Sequence, residues 1–112
     1  MIFDFIIIPV DNSFIDTAYY ILNKLEEICG ITHVIINVNY DDSFSSRVDK
    51  SRLKKYNIIT INEDYNEANT INIIFQHTGF KVETMSLPDF FNLVSNYINE
   101  NENETNLPCI II

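Results

Sequence analysis

Glycine is nearly missing from this chain, with only Gly30 and Gly79 among 112 residues. The scarcity matters most after the opening run Ile2–Val10, which is apolar and carries Pro9 at its end. A run of that kind reads as a strand buried on both faces. The residues that follow, Asp11-Asn12-Ser13-Phe14-Ile15-Asp16, enter a helix with no glycine to let backbone approach a pyrophosphate. No P-loop lysine follows either, which argues against a nucleotide-cofactor site. Cysteine is also scarce: Cys29 and Cys109 make no disulfide framework and read as buried or idle thiols. Lys and Arg total seven against sixteen acids, a net charge of -9. Such a chain does not bind nucleic acid through bulk charge, although a local basic patch is compatible with it. The opening run is too short to span a membrane and lacks the positive flank of a secretory signal. A cytoplasmic, reduced setting with no membrane partner is therefore expected, and in it the sequon Asn103-Glu104-Thr105 is idle.

What is present follows an α/β order. Ser13 with Asp16 is the expected cap of a first helix, whose apolar stripe is Ile15, Ala18, Leu22 and Leu25, widened by Ile21 and Ile28. Gly30 is its expected stop. Thr32 to Val38 reads as a second strand, reached by a right-handed crossover. Asp41 to Tyr56 reads as a short helix on one sheet face, with Phe44, Val48 and Leu53 as apolar marks. Asn57 to Ile61 is a third strand, and Glu63 to Thr70 a polar turn. Ile71–His77 and Phe80–Met85 read as antiparallel neighbours joined across Thr78-Gly79. Ser86 with Asp89 opens a last helix, with Pro88 in its first turn and Phe90, Leu93, Val94, Tyr97 and Ile98 as its buried face. Residues 1–99 thus form one domain: a three-layer α/β/α arrangement around a mixed, mostly parallel five-stranded sheet. Residues 100–112 are a polar spacer followed by the apolar tail Leu107–Ile112.

The order β-α-β-α-β-β-β-α over Phe3 to Ile98 resembles the anticodon-binding domain of class II aminoacyl-tRNA synthetases. The resemblance is anchored at Ile7-Ile8-Pro9-Val10, at Leu25 through Gly30, at Phe44-Ser45-Ser46-Arg47-Val48 and at Ser86-Leu87-Pro88-Asp89-Phe90. It departs where the family faces the anticodon. Val38-Asn39-Tyr40 stands in place of an acidic residue and Arg, and Asp49 in place of a helical Arg. Asn57 stands in place of a Pro, and Asn62-Glu63-Asp64 in place of a Gly-containing turn. The resemblance implies a divergent user of the fold, with no aminoacylation site of its own.

Five of the seven basic residues, Arg47, Lys50, Arg52, Lys54 and Lys55, fall within one short stretch. At helical spacing 47, 50 and 54 share a face, flanked by 52 and 55, with Tyr40 and Tyr56 beside them for base stacking. These seven residues are the candidate RNA site, since the resemblance implies that this region meets RNA. The tail residues Leu107, Pro108, Ile110, Ile111 and Ile112 are the candidate partner site, since an apolar end invites a groove. Asp41, Asp42 and Asp49 lack a ligand pattern, and His33 and His77 lie in separate expected strands with no nucleophile nearby. No metal, no cofactor and no catalysis are expected. The sequence points to a non-catalytic module of translation that contacts tRNA or the ribosome, its rRNA and proteins, with a ribosome-bound, dormancy-type factor as its finer form. The alternative is a protein-interaction or dimerisation subunit that binds no nucleic acid.

Overall fold

β1 (Asp4–Pro9) lies inside the sheet, and Phe5, Ile6, Ile7 and Ile8 are all buried. The computed structural model describes residues 4–30, 33–79 and 81–111, with side chains described through residue 99. After β1 come α1 (Ile15–Cys29), β2 (His33–Ile36), α2 (Phe44–Leu53), β3 (Asn57–Ile61), α3 (Glu63–Ala68), β4 (Thr70–Ile74), β5 (Val82–Ser86) and α4 (Leu87–Ile111). The sheet order is β2-β1-β3-β4-β5. β1 pairs in parallel with β2 and β3, whereas the β3–β4 and β4–β5 ladders are antiparallel. The sheet is therefore mixed as expected, with only β4 running against the other strands.

Alternation along β1 divides the core. Phe5 and Ile7 face α1 and α4, joining Ala18, Ile21, Leu25, Ile59, Ile73, Phe90 and Val94. Ile6 and Ile8 face α2 with Ile58 and Ile74, where Phe44, Val48 and Tyr56 cover them. Phe90 meets Phe5 edge-on, their centroids 6.2 Å apart. Each fully buried isoleucine or phenylalanine here contributes about 1.5–3 kcal/mol. Both glycines stand where the backbone needs them: Gly30 stops α1 at φ 69°, and Gly79 turns the chain at φ 72°.

Several local expectations give way to side-chain chemistry. The first helical turn is capped by Asp11, whose carboxylate accepts the Ser13 N–H and hydroxyl, and not by Ser13 with Asp16. These two bonds hold the Asp11 carboxyl below its usual range. β2 ends at Ile36 because the Asn37 side-chain oxygen accepts the Asn39 N–H and turns the chain. Residues 63–68 form α3 where a turn is expected. Asn62 caps the Asp64 N–H, and two acids favour the first turn until Asn69 stops the helix at φ 55°. The β4–β5 connection is longer than the two residues expected. Ile74 is the last residue of β4 to pair, opposite Val82, and His77 lies in a 3-10 turn instead of a strand. Asn57 directs that turn by accepting the Gln76 N–H.

Leu53 is 83% exposed, since nine residues at 100° each place it opposite Phe44 on α2. On α4, Leu93 and Tyr97 are exposed, and Phe91 is buried in their stead. The Ser86 hydroxyl does accept the Asp89 N–H as expected. The backbone of α4 continues through the stretch read as a spacer, residues 100–106, which holds neither glycine nor proline. Ile2, Phe3, Thr32, Phe80, Cys109 and the tail side chains named above lie outside what is described.

Candidate nucleic-acid interface

The candidate strip sits on α2, whose start is fixed by Ser43 accepting the Ser46 N–H. The sheet-facing side of this helix carries Phe44, Arg47, Val48 and Ser51, and that geometry removes one cation from the surface. Arg47 is 2% exposed. Its Nε donates to Asn37 Oδ1 at 3.0 Å, its Nη2 to the Asn37 carbonyl at 2.6 Å and its Nη1 to the Val10 carbonyl at 3.5 Å. Tyr40 lies 5.1 Å from the guanidinium, within cation–π range. Burial pulls the Arg47 pKa down, while Tyr40 and Asp42 pull the other way. Arg47 therefore clips α2 to the chain ends leaving β1 and β2. It is a buried tie and not an exposed phosphate contact.

The remaining cations stay near the surface. Lys50 and Lys54, one helical turn apart, are exposed. Lys50 Nζ stands 2.8 Å from Asp42, with 63% of the lysine side chain exposed, so the pair can exchange for another anion at little cost. Lys55 is exposed and takes φ 62°, because the chain must reverse from α2 into β3 within three residues. The Lys55 N–H reaches Arg52 O at 3.0 Å, and the Tyr56 N–H reaches Ser51 O at 3.3 Å. Arg52 is half-buried, and its Nε has no hydrogen-bond partner. It borders a hollow of about 360 Å³ beside Thr60, Asn72 and Val82 on the open part of the α2-side face. Of the two aromatics, Tyr40 is 37% exposed, with Arg47 against its ring, and Tyr56 packs half-buried under α2.

The structure thus brings Lys50, Lys54, Lys55 and Arg52 onto one helix and its exit, next to Tyr40 at the other end. Among the described residues no group of three or more His, Cys, Asp or Glu is placed to hold a metal ion. No helix among them is long and apolar enough to cross a membrane. Cys29 is a free thiol, half-buried at the end of α1.

The fold is shared with parts of two aminoacyl-tRNA synthetases of known structure, as the resemblance implies. No family model and no curated protein matches this chain. Among solved structures, the RNA-binding domain of threonyl-tRNA synthetase from Cryptosporidium parvum Iowa II superposes with a TM-score of 0.69 at 14% identity. The match covers 84% of this chain and 23% of the other. Histidyl-tRNA synthetase from Nostoc sp. PCC 7120 also gives a TM-score of 0.69, at 11% identity, over 86% of this chain and 22% of the enzyme. The chain spans less than a quarter of either protein, and what they share with it is the fold.

Proposed function

We propose that this chain is a non-catalytic RNA-binding module of the translation apparatus, with tRNA or ribosomal RNA as its ligand. Lys50, Lys54, Lys55 and Arg52 meet phosphate, and Tyr40 and Tyr56 flank them. The observation that carries the reading is this exposed basic helix in a chain of net charge -9, whose acids otherwise repel a polyanion. The fold shared with the RNA-binding domain of threonyl-tRNA synthetase adds support. In its finer form the module sits on the ribosome as a dormancy-type factor, and Leu107, Pro108, Ile110, Ile111 and Ile112 anchor it in a protein groove.

The test is binding to tRNA and to ribosomes as salt is varied. Four cations on phosphate give a slope of about -3 for log K against log salt. Reversing Lys50 and Lys54 to Glu abolishes binding if the reading holds. Binding that ignores both salt and reversal sinks it, and co-sedimentation with ribosomes decides the finer form.

A dimerisation role draws on a different observation. β2 is an edge strand, the stretch His33–Val38 that begins with it contains no Asp, Glu, Lys or Arg, and Ile35 and Val38 are about half exposed. Bare edges of this kind invite pairing with another strand. Sedimentation equilibrium of the wild type and of Ile35→Lys separates this role from the first, since a monomer in both ends it.

A further inference from the structure

A cavity of about 510 Å³ lies under α4 at the end of the sheet opposite the Arg47 clip. Phe5, Phe75, Leu93 and Val94 form its apolar walls, and Tyr97, His77 and Glu83 contribute aromatic and polar surface. We infer that this cavity receives an unstacked, amino-bearing nucleobase, with the His77 and Tyr97 rings as stacking surface and the Glu83 carboxylate as acceptor of the exocyclic amine. The inference rests on the RNA reading above and names a base site for it.

The chemistry of the lining selects this ligand. The volume falls in the range of small-molecule sites, which combine mostly apolar and aromatic walls with a few polar groups. The His77 and Tyr97 rings are within 19° of parallel, with centroids 6.1 Å apart, and Phe75 backs His77 at 5.4 Å. Flat aromatic surfaces at a cavity mouth suit stacking of any base. Glu83 pairs with Ile73 across the β4–β5 ladder, so it shares the sheet face that α4 covers. Among the described lining residues its carboxylate is the only acidic group, and no Lys or Arg joins it. A phosphate is therefore unwelcome inside, while an N–H donor is favoured.

Asn57 does not compete for the reading, since both ends of its amide are engaged. Nδ2 donates to the Asp4 carbonyl at 3.3 Å, and Oδ1 accepts the Gln76 N–H. An ionised carboxylate only accepts, so it pairs with the N4 amine of cytosine and repels the O4 carbonyl of uracil. Phosphate has a place nearby. Asn57 borders the cavity two residues after Lys55, which puts their Cα atoms within about 7 Å. The cationic exit of α2 and the cavity therefore share one end of the sheet.

The experiment is fluorescence anisotropy of the whole chain at low salt with labelled hexamers of cytidylate and of uridylate. It is paired with NMR titration of free cytidine. Cytidylate is expected to bind at least tenfold more tightly. Glu83→Gln, a change at an exposed position, is expected to bring the ratio close to one, with cytidylate binding weakened and uridylate binding tightened as the repulsion of O4 is lost. Cytidine is expected to shift the His77 and Tyr97 ring signals. Equal binding of both hexamers, lost together on reversal of Lys50 and Lys54, overturns the base site and leaves the RNA strip standing. Ring shifts with cytidine but no hexamer binding support the cavity and remove the strip. Ring signals that answer tetramethylammonium and ignore cytidine assign the cavity to an organic cation and overturn the inference.

Discussion

Arg47 carries a charge into a site where 2% of the residue is exposed, and oxygens from Asn37 and Val10 receive its donors. Replacing it with Leu strands those acceptors, at about 1–3 kcal/mol for each one left buried. Arg47→Leu is expected to lower unfolding free energy by about 3 kcal/mol in urea titration, and Lys is not expected to restore it, since an ammonium cannot span the same acceptors. RNA affinity of the remaining folded protein stays within about twofold, because this guanidinium does not reach the surface. A helical wheel puts residue 47 beside 50 and 54, but it does not say which part of α2 faces the sheet. Lys55 presents the opposite balance. Its left-handed backbone costs an L-residue roughly 1 kcal/mol, so Lys55→Gly is expected to raise the midpoint of thermal unfolding. The same variant is expected to reduce the salt slope of RNA binding by about one unit.

At the scale of elements, α1 and α4 hold one sheet face through interlocking apolar side chains. Phe90 touches this core from α4, edge-on to Phe5 and beside Phe75, with centroids 6.2 and 6.4 Å away. Phe90→Ala is expected to destabilise by about 3–5 kcal/mol, read from the denaturation midpoint at unchanged slope. At the end of α1, burial pushes the Cys29 thiol up to about 11. In a Cys109→Ser background Cys29 is expected to react slowly with iodoacetamide at pH 8.5, and at the rate of a free thiol once unfolded. The raised thiol adds stability below its unfolded value near 9, and that stability is lost as pH rises toward 11. α1 and α4 were legible in the sequence because their apolar stripes are long. α3 and the β4–β5 turn were not. α3 depends on the Asn62 cap, and the turn depends on a bond from Asn57, which is distant in sequence.

For the whole molecule, charge is divided unequally: a short basic helix within an acidic chain. Added salt screens both the self-repulsion and the attraction of the strip for RNA. Raising NaCl from 50 to 300 mM is therefore expected to increase the thermal midpoint while weakening RNA binding, and opposite trends in the two measurements check the charge model. The cavity under α4 belongs to this scale as well. Its walls come from β1, β5, a 3-10 turn and α4, a set that no local spacing links. Periodicity, the Pro9-ended apolar run and two well-placed glycines were enough by themselves to specify the α/β class and the two-sided burial of β1. Those signals are local, and a buried strand or an amphipathic helix writes them into neighbouring residues. The inward turn of Arg47, the exposure of Leu53 and the placing of Glu83, His77 and Tyr97 around one cavity were decided only by the tertiary structure. Each depends on where one element lies against another, and distant contacts leave no period in the chain.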